Sequence, residues 1–218
     1  MNLFSQDGYE IIGIEKSESH WLILNVHYAH RLPPISYAFG LYFNGDLKGV
    51  VTYGSPPSPT LVRGICGDKW AKNVLELNRL VLVDNQKNEA SRLVSGSLKL
   101  LPKPSIVVSF ADTAQNHEGI IYQATNFIYT GLSANRKEWT VKGKEHLHSK
   151  TLSGLVAGAD NTVLAMQEMF GDDFYYRERS RKHRYIIFLG SKTDKRSMTR
   201  DLRYKVLPYP KEASNELD

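Results

Sequence analysis

Residues 74–110 read VLELNRLVLVDNQKNEASRLVSGSLKLLPKPSIVVSF, and the fold turns on how they are read. LELNRLVLVD is dense in Leu and Val, as a strand buried on both faces must be. A polar turn, DNQKNEAS, follows. NEASRLVSGSLKLL then sets Ala90, Val94, Leu98 and Leu101 on one helical face. SIVVSFAD is a second short buried strand. Strand, helix and strand in succession predict a parallel β-α-β unit with a right-handed crossover. Strand 74–83 is expected to be central in its sheet.

Upstream, ISYAFGLYF and LKGVVTYG flank Asn44-Gly45. A tight type I′ turn needs positive φ at both central positions, so Asn-Gly between strand-like runs predicts a hairpin. Before it, ESHWLILNVHY (18–28) spaces Trp21, Leu24 and Tyr28 as a helix does. Pro33 and Pro34 forbid its continuation. SPPSPT (55–60) reads as a loop. Downstream, HEGIIYQATNF has helix spacing at Ile120, Ala124 and Phe127, with Asn116 as a cap. IYTGL is a short strand. Residues 160–170 form a helix with Val163, Met166 and Phe170 inward and Gly171 at its end. YIIFLG is a last apolar strand. The expected fold is α/β: a mixed central sheet with helices on both faces, in one domain spanning 1–218.

The chain has 218 residues, 41% hydrophobic and 23% charged, which argues against wholesale disorder. No apolar run approaches the roughly 18 residues a membrane span needs, and the N-terminus lacks the basic start and apolar run of a signal peptide. One cysteine, Cys66, excludes an intrachain disulfide and any multi-cysteine metal site. A reducing cytoplasm is the expected compartment.

Net charge is +5, yet residues 177–205 alone hold 11 basic and 3 acidic residues. A basic segment this concentrated suits phosphate backbones, and Tyr176, Tyr185 and Tyr204 can add base stacking. Arg179, Arg181, Lys182 and Arg184 are the expected DNA contacts. The plainer reading is a solvated hairpin.

Three constellations carry candidate chemistry. HYAHR brings His27, Tyr28, His30 and Arg31 to a helix end, where histidines three apart face one way. They can hold a metal or move protons, or be exposed residues of a capped end. In LNRL, Asn78 and Arg79 are polar inside an apolar strand, which costs free energy unless partners satisfy them. Arg79 either pairs internally or reaches a phosphate or carboxylate. The following turn opens a helix near Ser91, and its backbone N–H groups suit an anion, without the glycines of a P-loop. In SFADTAQNHEGIIYQATNF, Ser109 and Asp112 stand at the carboxyl end of a strand, where open α/β sheets hold ligands. His117 and Tyr122 follow. Tyr122 is either an acid toward a leaving group or a packing residue. No G-x-S-x-G elbow accompanies them, so a hydrolase triad is set aside. Cys66 reads as a structural thiol.

HYAHRLPPISYAFGLY, GVVTYGSPPSP, LELNRLVLVD, NEAS, SFADTAQNHEGIIYQATNFIYTG and KHRYI together resemble the phage Mom DNA-modification proteins. The resemblance runs nearly continuously from His27 to Tyr129 and returns at His183 to Ile187. It implies a divergent GNAT-like acyltransferase fold. It implies an enzyme that places a carbamoylmethyl group on the exocyclic amine of adenine in phage DNA, protecting that DNA from host restriction. The implied partner is double-stranded DNA with a flipped adenine. The implied donor is acetyl-CoA or another acyl or aminoacyl donor, with iron as a further cofactor. Residue by residue, the resemblance makes His27 and Tyr28 a catalytic or metal-associated pair. It links Arg79 and Ser91 to donor binding, and Asp112 and Tyr122 to activity. NQKNEASRL stands where a GNAT protein carries its pyrophosphate loop, Q/R-x-x-G-x-G/A. The competing readings are a GNAT acyltransferase acting on a small-molecule or protein amine, and a non-catalytic DNA-binding protein.

Overall fold

The computed structural model describes residues 3–147 and 149–210. In chain order the elements are β1 (Leu3–Gln6), β2 (Tyr9–Gly13), α1 (Lys16–Asn25), β3 (Tyr37–Phe43), β4 (Asp46–Gly54), α2 (Pro59–Cys66), β5 (Val74–Leu82), α3 (Glu89–Leu100), β6 (Ser105–Asp112), α4 (Ile120–Ala124), β7 (Ile128–Leu132), β8 (Arg136–Val141), α5 (Ser149–Ser153), α6 (Thr162–Phe170), β9 (Phe174–Arg179), β10 (Lys182–Leu189) and α7 (Lys192–Asp201). They divide into two compact units, Met1–Leu132 with Lys182–Asp218, and Ser133–Arg181.

In the first unit the described strands form one sheet, ordered β1-β2-β3-β4-β5-β6-β10-β7. β5 is interior, between β4 and β6. Every neighbouring pair is antiparallel except β5 and β6, which are parallel. That one parallel pair is the β-α-β unit of residues 74–110. Two of the antiparallel pairs are tight hairpins: Asn44 and Gly45 take φ of 52° and 85° between β3 and β4, as a type I′ turn requires. Asp7 and Gly8, at 51° and 78°, make the equivalent turn between β1 and β2, a hairpin that the Asp-Gly pair signals in the sequence.

Helices cover both faces. On one, Leu93, Val94 and Leu98 of α3 pack with Leu41, Val51, Tyr53, Leu77 and Val107. Each such aliphatic residue contributes about 1.5–3 kcal/mol by leaving water. On the other face, α1 sets Leu22 and Ile23 on Val50 and Val81. There too, Ile65 of α2 and Met198 of α7 pack on Ile106, Val108 and Ile186. Cys66 is buried here with its thiol toward the Met198 carbonyl, and burial pushes its pKa up to about 11, as a structural thiol requires.

Three local expectations are corrected. Helix α1 ends at Asn25, and its inward residues are Ser19, Leu22 and Ile23, whereas Trp21 and Tyr28 are 66% and 51% exposed. The 55–60 loop ends at Ser58, whose hydroxyl caps α2 with Pro59 at its first turn. Asn116 does not cap α4. It ends a short 3-10 turn in the left-handed region, and Gly119 precedes α4.

In the second unit β8 and β9 pair antiparallel. Trp139, Val141 and Phe174 of this ribbon pack with Leu152 and Met166 from α5 and α6. Among the described residues, no helix is long and apolar enough to cross a membrane.

Candidate active site

The site forms where β5 and β6 part. Their pairing stops at Leu77 and Ser109. Beyond it, β5 stays with β4, while Phe110, Ala111 and Asp112 of β6 pair only with β10. The gap at the carboxyl ends of the two strands is a cleft of about 460 Å³, a volume suited to a small ligand. Its lining includes His27 and Tyr28 after α1, Glu76 and Arg79 of β5, and Tyr122 of α4.

A β-bulge decides which side chains of β5 share a face. Thr52 pairs with Arg79, but Tyr53 pairs with Leu77 and Gly54 with Glu76. Asn78 is the extra residue. In an uninterrupted strand, residues 76 and 79 point to opposite faces. The bulge turns Arg79 back, so that Glu76 and Arg79 share the face on which α1 packs. Asn78 is held at both ends of its amide: its Oδ1 accepts from the Thr52 hydroxyl at 2.7 Å, and its Nδ2 donates to the Pro34 carbonyl at 2.8 Å. The segment after α1 is thereby fixed over the cleft. Arg79 fastens it further, donating to the Arg31 carbonyl from Nε at 3.3 Å and Nη2 at 3.0 Å.

The protonation states are uneven. Burial raises the Glu76 carboxyl above its ordinary range, against the opposing pull of the Arg79 and Lys182 charges. Tyr122 is pushed up to about 12, first by burial, then by the Tyr28 and Glu76 charges, and is partly offset by its hydrogen bond to Ser109. The Ser109 hydroxyl itself donates to the Leu77 carbonyl at 3.0 Å. His27 is lowered to about 4 by burial and by the positive charges of Arg79, His30 and His117, so it is neutral near pH 7. Its Nδ1 accepts the Ala29 N–H at 3.0 Å, and its ring stacks on Tyr28 at 4.4 Å between centroids. Tyr28 meets the His117 ring edge-on at 6.2 Å. The cleft thus presents a carboxylate short of partners, a protonated phenol and an aromatic wall.

The structure brings His27, Tyr28, Arg79 and Tyr122 together. Asp112 is outside the cleft lining: its Oδ1 accepts the Ala114 N–H at 3.0 Å, and its Oδ2 pairs with Lys182 at 2.9 Å. Ser91 lies in a separate depression of about 250 Å³ with Asn88, Arg92, Ser95, Ala124 and Thr125. The two depressions adjoin opposite ends of α4. Sequence reading missed Glu76. It is the polar residue two before Asn78 in the same apolar run, and that was the available signal.

The basic segment 177–205 is divided between the two units. Arg179 and Arg181 belong to the second unit, where Arg181 donates to the Ser133 carbonyl at 2.7 Å. Lys182 holds Asp112. Arg184 donates to the Thr130 hydroxyl and carbonyl, each at 2.9 Å, and lies 3.4 Å over the Tyr204 ring.

An iron centre does not fit. Among the described residues, no group of three or more His, Cys, Asp or Glu side chains could hold a metal ion. The sequence-proposed pair, His27 and Tyr28, supplies only two ligands, too few for a closed site. The depression beside Ser91 also holds Arg92, whose Nη1 pairs with the Asp7 carboxylate at 2.9 Å. At the start of α3, the Glu89 carboxylate already accepts the Gln86 N–H at 2.9 Å and the Tyr9 hydroxyl at 3.3 Å. Fewer turn amides therefore remain for phosphate than a glycine turn offers.

No curated protein matches the sequence. Solved structures that resemble the chain are acetyltransferases. An N-acetyltransferase from Staphylococcus aureus is 14% identical with a TM-score of 0.43, over 83% of this chain and 98% of its own. A Bacillus subtilis acetyltransferase in complex with CoA is 13% identical with a TM-score of 0.43, over 82% and 97%. A GNAT family acetyltransferase from Elizabethkingia anophelis with acetyl-CoA bound is 9% identical with a TM-score of 0.43, over 84% and 100%. The sequence itself matches the Mom protein family over residues 8–211, nearly its whole length, and the chain belongs to that family.

Proposed function

We propose that this protein is a DNA-modifying transferase that attaches a carbamoylmethyl-type group to the exocyclic amine of adenine, shielding the DNA from restriction. Family membership supports the reaction class, and the pairing of Glu76 with Tyr122 in one cleft carries the mechanism. The adenine amine is a weak nucleophile because its lone pair is delocalised into the ring. As its nitrogen bonds to the donor carbon, it must lose a proton. Glu76 takes that proton, because its raised pKa makes it a better base than an ordinary carboxylate. The bond from that carbon to the leaving group breaks, and Tyr122, protonated at neutral pH, supplies the leaving group with a proton. A base must leave the duplex for this chemistry. The stacked rings of neutral His27 and half-exposed Tyr28 offer it a face. For a carbamoylmethyl product the donor carbon that is attacked is the methylene beside the carboxamide, because attack on an acyl carbon would leave an amide on adenine instead, and the depression beside Ser91 is the place for that donor's anionic end.

Mass spectrometry of nucleosides from the plasmid DNA of expressing cells tests the reading. An adenosine of increased mass is expected with the natural chain and not with Glu76→Gln. Unaltered adenosine with the natural chain would refute the function. Full modification by Glu76→Gln would refute the mechanism alone.

A further inference from the structure

The β8–β9 ribbon of the second unit has a ladder in which one rung differs from its neighbours. Glu138 stands opposite Arg177 and binds it from one carboxylate oxygen, at 3.0 Å to Nε and 2.9 Å to Nη2. On the alternate face Lys137 stands opposite Glu178. Both rungs pair opposite charges. The end rung, on the same face as Glu138 and Arg177, sets Arg136 opposite Arg179. Like charges directly across a ladder repel. Both arginines are exposed, and among the described residues neither side chain has a hydrogen bond or ion pair. A ladder that sets opposite charges across two of its rungs and two arginines across its end rung has the form of an anion clamp. Guanidinium forks match the oxygens of a phosphate, and an anion between them removes their repulsion.

Resting on the transferase reading, we propose that Arg136 and Arg179 jointly seat a backbone phosphate of double-stranded DNA, making this ribbon a docking surface for the substrate. The contact is sequence-independent. It uses Arg136, which lies 41 residues before the basic segment begins, and does not require Arg184, whose guanidinium is committed to Thr130.

The experiment measures binding of the full chain to a short fluorescent duplex across a salt series. Arg136→Gln and Arg179→Gln should each weaken binding about tenfold and flatten the salt slope by about 0.9. Lys192→Gln, an equal loss of charge on an exposed residue of α7, should do neither. Arg136→Glu adds an independent readout, because it converts the end rung into an ion pair with Arg179. The melting temperature should rise while duplex affinity falls further. Unchanged affinity and slope in both glutamine variants would overturn the proposal and mark the arginines as solvated only. So would an equal loss in Lys192→Gln, which would indicate diffuse charge rather than a clamp. Nucleoside mass spectrometry on the same variants separates the two claims. Adenine modification by the natural chain with undisturbed binding in the variants removes the clamp and leaves the transferase. Absence of modification by the natural chain removes the transferase reading.

Discussion

Arg79 reaches from the middle of the sheet to the backbone of Arg31, closing on its carbonyl oxygen with Nε at 3.3 Å and Nη2 at 3.0 Å. A side chain that sequence alone leaves between an internal pair and a donor contact therefore has a definite first task, holding the segment that carries His27 and Tyr28. Its place in the cleft lining leaves it available to a donor as well.

Arg79→Ala should lower kcat/KM at least about tenfold. It should destabilise the chain by about 1.5–3 kcal/mol, the range for hydrogen bonds from a charged group. Arg79→Lys should recover little, since one ammonium cannot reproduce the two-nitrogen grip. Denaturant titration beside steady-state kinetics checks this, and an Arg79→Lys variant of natural activity would contradict it.

The same segment is held by a close backbone approach. A Cβ on Gly54 would overlap the Pro34 carbonyl oxygen and crowd the Asn78 amide, and that oxygen is the acceptor of the Asn78 Nδ2–H bond. Gly54→Ala should therefore displace the segment, lower activity and leave the Asn78 amide short of a partner, at a cost of about 1–3 kcal/mol. Amide hydrogen exchange should quicken in residues 27–37 and stay unchanged in α3. Unaltered exchange there would show that the strand shifts instead.

Tyr122 is half-buried in the cleft wall, and burial keeps its hydroxyl protonated at neutral pH. Tyr122→Phe should reduce kcat by about 100-fold or more if the hydroxyl delivers a proton in the rate-determining step. KM should change little. Stability should fall only slightly, because Ser109 keeps its bond to Leu77. A kcat within twofold of the natural value would make Tyr122 a packing residue.

How much of this was legible depended on whether a signal was local. The β-α-β unit of 74–110 and the Asn44-Gly45 hairpin were read correctly because apolar period and turn chemistry are written in adjacent residues. The β1–β2 hairpin carries an equally local Asp-Gly signal and was overlooked. α7 has only Met198 buried, so it lacks an apolar stripe. Its signal is the Ser191–Asp194 capping box. The cleft is a different case. The parting of β5 from β6 after Leu77 is a property of two strands together. The bulge at Asn78 reverses the parity by which Glu76 and Arg79 would be assigned to opposite faces. No periodicity argument that counts along one strand can find that pair. Asp112, by contrast, was placed correctly at a strand end, where its carboxylate is bonded to the Ala114 N–H and Lys182.

Glu76 couples activity to stability with opposite signs. Burial raises its folded-state pKa above the ordinary 4.5, so the folded chain holds this proton more tightly than the unfolded chain. Below pH 4.5 the carboxyl is protonated in both states and costs nothing. As pH rises from 4.5 through the raised value, the unfolded state ionises first, and Glu76 penalises folding increasingly until both states are ionised. Catalysis needs the ionised form. The acid limb of the pH profile of kcat/KM should therefore lie above the range of an ordinary carboxylate, on a scale where free Glu76 would ionise near 4.5. Glu76→Gln removes both effects. It should abolish the pH-dependent limb along with most of the activity, and it should melt higher than the natural chain at neutral pH. That gap should shrink toward zero as the pH is lowered past 4.5. Thermal denaturation of both chains across the pH range is the measurement. A glutamine variant that melts lower at neutral pH would mean that the Arg79 and Lys182 charges outweigh burial, and that Glu76 is a structural anion rather than the base.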